Sequence, residues 1–226
     1  MNNTYFIGDV HGCYFTLMSL IKKLPKDSKL IFLGDLCDKG NHVKEVIQYI
    51  IDNNHTVVKG NHDYMMEQYL KKAVQDDMTN IWTSETWGGY KTVNSYKDNI
   101  ELMEKHLSFI STLPYYIDLE SFYYNEENKL VIKKYYLTHG FGAPYQENKD
   151  SKKLMSNRVG REYSDWEDFS KSEKINVFGH CDFEEVLFDD KYIGIDTGAV
   201  YGRKLTAMEI NTHKLIQEDV HKEDIV

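Results

Sequence analysis

Residues 4–12 read TYFIGDVHG, residues 29–40 read KLIFLGDLCDKG and residues 55–63 read HTVVKGNHD. Each stretch opens as a short apolar run and closes in a glycine-flanked polar turn. We read 4–9, 29–34 and 55–59 as strands. Between them, 14–24 carries Phe15, Leu17, Met18, Leu20 and Ile21, and 42–52 carries Val43, Val46, Ile47 and Ile50. Those apolar spacings predict two helices, and a third is expected to start near Tyr64. Strand and helix alternate, which predicts an α/β domain with a parallel sheet and right-handed crossovers. Ligands of such sheets bind outside the carboxyl ends of the strands. All three turns therefore deliver polar side chains to one edge.

Those side chains suit a metal. Asp9 and His11 lie two apart and point the same way on an extended segment. Asp35 offers two carboxylate oxygens and could bridge, and Asn61 offers an amide oxygen. Two more imidazoles end later apolar runs, in Thr138-His139-Gly140 and Gly179-His180-Cys181. Mixed Asp, His and Asn ligation favours manganese, iron or zinc over magnesium or calcium. No single turn is decisive, since Asp-x-His and Gly-Asn-His each occur as ordinary turns. The conjunction of three such turns, each after an apolar strand, carries the reading.

The rest of the chain is less regular. Residues 75–98 are polar but hold two tryptophans and the pair Gly88-Gly89. A helix is expected over 99–111, strands over 115–136 around a turn at Asn125–Asn128, and several short strands after Ile175. We expect one domain over 1–226, with 75–110 and 143–170 as excursions that cap it. Of 226 residues, 41% are hydrophobic and 28% charged, a balance that supports a sizeable core. The formal net charge of -9 disfavours nucleic-acid binding, although cations bound in one cleft can invert the local field. The three cysteines, Cys13, Cys37 and Cys181, are too few and scattered for a disulfide framework, and none has an arginine at the spacing of a Cys-x5-Arg nucleophile loop. No signal peptide or membrane span is legible, so a cytoplasmic protein without a membrane partner is expected.

GDVHG, GDLCDKG, GNHD, THG and FGHC together resemble the signature of the phosphoprotein phosphatase group of calcineurin-like metallophosphoesterases. Trp87-Gly88-Gly89, LMSNR at 154–158 and YIGIDTGAVYGRKLTAMEI at 192–210 are similar to its small bacterial and phage branch, of the phage lambda phosphatase kind. The resemblance implies a four-layered αββα sandwich. It implies two divalent metals, most readily Mn²⁺. Asp9, His11 and Asp35 would hold the first, and Asp35 would bridge to a second completed by Asn61, His139 and His180. It makes His62 the general acid and Asp38 the carboxylate that orients it. Arg158 takes the place of a phosphate-gripping arginine, with Arg161 the alternative. Lys39 stands where the family has a second arginine.

The expected reaction is direct attack on phosphorus by a hydroxide bridging the metals, while His62 protonates the leaving oxygen. The first reading of substrate is a phosphoserine or phosphothreonine protein. The alternative is a small molecule, a dinucleoside polyphosphate such as diadenosine tetraphosphate.

Overall fold

The computed structural model describes residues 3–76, 79–142, 151–159 and 172–226. The chain begins with β1 (Thr4–Ile7), α1 (Tyr14–Lys22), β2 (Lys29–Phe32), α2 (Val43–Asp52), β3 (Thr56–Val57) and α3 (Asn61–Gln75). Two helices follow, α4 (Gly89–Tyr96) and α5 (Ile100–Ser111), then the hairpin of β4 (Tyr116–Tyr124) and β5 (Leu130–Thr138). The remainder comprises α6 (Ser151–Ser156), β6 (Ile175–Phe178), β7 (Leu187–Phe188), β8 (Tyr192–Gly194), a 3₁₀ turn (Ala199–Tyr201), β9 (Lys204–Glu209), β10 (Leu215–Asp219) and α7 (Lys222–Ile225).

The apolar runs are buried on both faces, and their alternation assigns each face. Tyr5, Ile7, Leu30, Phe32 and Val57 point to a core shared with α1, α2, α3 and α5. Phe6, Ile31, Leu33 and Val58 point the other way, onto Tyr135, Leu137, Val177 and Ile193. Those partners belong to a second sheet, so two sheets share one inner core. The first sheet has the order β10-β9-β1-β2-β3 and the second β4-β5-β6-β8-β7. In the first, β1, β2 and β3 run parallel and β9 and β10 antiparallel. In the second, β5, β6 and β8 run parallel, flanked by antiparallel β4 and β7. The sandwich that the resemblance implies is the observed fold, but its sheets are mixed where the residue pattern predicts a parallel one, because β9 and β10 add antiparallel strands beside β1.

Several boundaries move. The first strands stop at Ile7 and Phe32, because Gly8-Asp9 and Gly34-Asp35 have already left the sheet. Helix α3 starts at Asn61, three residues before Tyr64, so the Gly-Asn-His turn is a helix N-terminus. The stretch expected as a polar excursion contains α4, and it seats Trp82, Val93 and Tyr96 in the helical core. The second expected excursion falls largely on 143–150 and 160–171, outside the described residues, as does Arg161. No helix among the described residues is long and apolar enough to cross a membrane.

Candidate metal centre

The turns after β1 and β2 interlock through their backbones. His11 N donates to Asp35 O at 2.8 Å, Gly12 N to Leu36 O at 2.9 Å and Gly40 N to His11 O at 2.9 Å. To turn this sharply, His11, Asp35, Asp38, Lys39 and His180 all take left-handed backbone, with φ of 45°, 50°, 69°, 55° and 59°. Non-glycine residues seldom adopt that region, and a cluster of them marks a site where the surroundings over-determine the backbone.

One residue supplies much of that bracing. The Asp63 carboxylate accepts from Asp35 N, Leu36 N and Gly60 N, each at 2.9 Å. It ties the end of β2 to the start of α3. Asp35 Oδ1 in turn accepts from His62 N at 2.9 Å, so this carboxylate sits on the N-terminus of α3, where helix dipole and free N–H groups favour negative charge. A Cβ on Gly60 would lie 2.1 Å from Asp35 Oδ1, so only glycine fits beneath it.

The six candidate ligands converge here. His11 Nδ1 donates to Cys37 O at 2.7 Å, and His139 Nδ1 to Leu33 O at 2.7 Å. A carbonyl can only accept, so both rings keep Nε2 free of hydrogen when neutral, the arrangement that presents an imidazole to a metal. Asp35 Oδ2 lies between those nitrogens, 3.5 Å from His11 Nε2 and 3.2 Å from His139 Nε2. Asn61 Oδ1 is 3.0 Å from His139 Nε2. The His180 ring stands 5.1 Å from that of His139, and its backbone N–H is 3.2 Å from each oxygen of Asp9. Among the described residues, two groups of donors could each hold an ion: His11, Asp35 and His62, and Asp35, His139 and His180, of which His62 is already tied through Nδ1 to Asp38. Asp35 is common to both, as a bridging ligand would be.

Electrostatics point the same way. Burial, then the charge of Asp196, pushes Asp9 well above the usual carboxyl range. Burial alone would raise Asp35 as well, but the imidazoles of His139 and His62 outweigh it and hold it well below that range. Burial, helped by Lys39, holds His11 well below its ordinary value, and burial with His139 takes His180 down to about 3. His139 goes up to about 10 because Asp35 and Asp9 outweigh its burial. A cation on those carboxylates would displace that proton, since a ligating imidazole is neutral. The donor set fits two divalent ions of the manganese, iron or zinc kind.

His62 and Asp38 form a pair beside this cluster. His62 Nδ1 lies 2.7 Å from Asp38 Oδ2, and its ring packs edge-on to His11. Asp38 is fully buried, and also accepts from Trp82 Nε1 at 2.6 Å and Thr92 Oγ1 at 2.5 Å. Lys39 turns into the cleft rather than to solvent. Its Nζ is 3.5 Å from His11 Nε2 and donates to the Tyr201 hydroxyl at 2.6 Å. Arg158 lines the same cleft, with Nη1 3.9 Å from Asp182 Oδ1, while Arg203 Nη2 takes the other Asp182 oxygen at 2.7 Å. Trp87 and Tyr201 wall the opening. The sequence reading gave no part to Asp63, Trp82, Thr92, Asp182, Asp196 or Tyr201. Asp63, Asp196 and Tyr201 lie inside the motifs quoted above, but the contacts of Asp63 with Asp35 and Leu36, and of Tyr201 with Lys39, span distant parts of the chain.

Residues 3–209 match the calcineurin-like phosphoesterase family. The chain belongs to that family. Among relatives of this calcineurin-like phosphoesterase is the bis(5'-nucleosyl)-tetraphosphatase PrpE of Anoxybacillus flavithermus, 28% identical, with 89% of this chain and 88% of the relative covered. A metallophosphoesterase from Sphaerobacter thermophilus has the same fold, with a TM-score of 0.61, 15% identity, and 97% of this chain and 88% of that one covered. So does a protein serine/threonine phosphatase from Saccharomyces cerevisiae, at a TM-score of 0.52 and 14% identity, covering 97% and 80%.

Proposed function

We propose that this phosphoesterase cleaves the phosphate chain of dinucleoside polyphosphates asymmetrically, with two metals held by Asp9, His11, Asp35, Asn61, His139 and His180. The observation that carries the substrate is the relative named for that activity, which aligns over nearly the full length of both chains. We therefore put this reading ahead of the phosphoserine or phosphothreonine protein expected first from sequence. The cleft itself supports it. Trp87 and Tyr201 offer aromatic faces beside the donor cluster, as a stacked base requires.

Bound divalent metals would neutralise the phosphoryl oxygens and lower the pKa of the attacking water. The chain's own groups do the rest. Lys39 and Arg158 bring positive charge to the phosphoryl oxygens in a cleft whose other charges are mostly acidic. Asp38 holds the His62 ring through Nδ1, which leaves Nε2 to give its proton to the leaving oxygen. All three cysteines are free and buried, in keeping with a reducing cytoplasm.

The test is a parallel assay with Mn²⁺ on diadenosine tetraphosphate and on a phosphoserine peptide. Higher kcat/KM on the dinucleotide, with AMP and ATP formed in equal amounts, is the expected result. Formation of ADP alone, or a preference for the peptide, would overturn the substrate assignment. The leaving group gives a second check. A phosphate leaving group has a second pKa of about 6, far below that of a serine alkoxide. The His62→Asn loss should therefore be smaller on the dinucleotide than on the peptide.

A further inference from the structure

Trp82 and the pair Gly88-Gly89 stand out in the sequence, yet the metal ligands make no use of them. Their places in the fold converge on Asp38. Its Oδ2 accepts from His62 Nδ1 at 2.7 Å and from Trp82 Nε1 at 2.6 Å, so one oxygen serves both rings. Its Oδ1 accepts from Thr92 Oγ1 at 2.5 Å, and Thr92 Oγ1 accepts from Asp38 N at 3.0 Å. Thr92 thus clasps Asp38 by backbone and side chain together. Trp82, Thr92 and Asp38 are all fully buried.

The two glycines make the clasp possible. A Cβ on Gly89 would lie 2.5 Å from the Trp82 ring, and one on Gly88 2.6 Å from Lys39 N. The segment therefore closes directly onto the indole on one side and the Asp38-Lys39 turn on the other. Asp38 itself is held at φ 69°, a strained conformation for a side-chain-bearing residue.

We infer that Trp82 and Thr92 are positioning residues, which fix the Asp38 carboxylate so that His62 is aimed at the leaving oxygen. An indole N–H cannot rotate away from its acceptor, because the ring is wedged in the core. It pins Oδ2 in space, and the His62 ring inherits that orientation. A carboxylate with only His62 as partner could swing about its own bond and take the ring with it. Residues 82–92 thereby belong to proton delivery rather than to a passive cap. This rests on the reading of His62 as general acid, and not on the choice of natural substrate.

The experiment uses aryl phosphates of increasing leaving-group pKa, with metal saturating and metal content measured for each protein. Trp82→Phe keeps an aromatic ring in the core but removes the N–H donor together with part of the indole. Thr92→Val removes the hydroxyl and Thr92→Ser restores it. Losing the hydrogen bond that orients a metal ligand costs about 10–100-fold, and we take the same scale for the bonds that orient the acid. Trp82→Phe and Thr92→Val should lose about that much on the poorest leaving group and about threefold or less on p-nitrophenyl phosphate, scaled to the general-acid contribution. Thr92→Ser should recover, metal content should not change, and Trp82→Phe should add nothing in an Asp38→Asn background. Equal losses on every leaving group, or full additivity with Asp38→Asn, would make Trp82 merely structural and overturn the inference. Should Trp82→Phe not fold, the Val and Ser variants of Thr92 decide it by the same criterion. If Asp38→Asn and His62→Asn themselves lack the leaving-group trend, the general-acid reading has failed first.

Discussion

The family resemblance expects a planar guanidinium fork where this chain has the point charge of Lys39, and the surroundings of Lys39 hold that charge in place. Burial alone would lower its pKa, but the Tyr201 hydroxyl and the carboxylates of Asp35 and Asp9 outweigh that and raise it, so the ammonium is charged. The Tyr201 hydroxyl tethers Nζ and the ring lies 4.8 Å below it. A tethered lysine gives up less rotamer freedom when it meets a phosphoryl oxygen. Such a charged contact is worth roughly 1.5–3 kcal/mol, so Lys39→Ala should cost about ten- to hundred-fold in kcat/KM. The measurement is steady-state kinetics with metal saturating, and wild-type kcat/KM would mean that Arg158 and the metals grip the phosphate alone. The candidate metal ligands could be picked out in sequence because each sits in a short local pattern of strand, glycine and donor. Asp63 and Trp82 could not, because their roles depend on which atoms they reach across 28 and 44 positions of chain.

Helix α4 shows what a local reading misses at the scale of an element. It starts at Gly88-Gly89, which reads as a turn, and the apolar residues that anchor it are only Val93 and Tyr96. Helix α5 lies within the stretch expected as a helix, and in the structure Asn99 caps it, accepting from Leu102 N at 3.0 Å. What joins α4, α5 and α2 is a buried histidine. His106 Nε2 donates to Gln48 Oε1 at 3.1 Å, and Nδ1 accepts from the Tyr96 hydroxyl at 2.6 Å. Both contacts suit a neutral ring, and burial takes its pKa down to about 4. The sign follows from proton counts. Between the unfolded value of 6.5 and about 4, the unfolded chain holds more protons than the native one, so stability is full above 6.5 and falls with acidification. One pKa unit corresponds to about 1.4 kcal/mol, so after solvent screening the loss is on the order of 2 kcal/mol. Denaturant melts at about pH 7 and about pH 4.5 should show wild type losing that much more than His106→Gln. Equal losses in the two proteins would assign the acid sensitivity to other groups.

At the scale of the molecule, the second sheet was the part that residue patterns could not supply. The β1–β3 runs showed that both their faces are buried, but not what covers the inner one. The answer comes from β5, β6 and β8, which lie more than seventy positions away; β6 and β8 are short, and only the second half of β5 is buried. The same assembly packs acidic groups together in a chain of net charge -9, since Asp9, Asp35, Asp182 and Asp196 all line one cleft. Burial and the neighbouring Asp196 both oppose ionisation of Asp9, so the folded state carries a repulsion that bound divalent cations would relieve. Ions that bind only the native state stabilise it by mass action, about 2.7 kcal/mol at a hundredfold excess over Kd. For a chain of this size each kcal/mol moves Tm by about 2–4 °C, so EDTA treatment should lower Tm by roughly 5–11 °C and abolish turnover. Mn²⁺ should restore both, and better than Mg²⁺, because imidazole and carboxylate share the coordination. Asp35→Ala removes the one side chain common to both donor groups, so its Tm should no longer respond to Mn²⁺. An unchanged Tm after EDTA, with full activity in protein that elemental analysis finds metal-free, would refute the two-metal site.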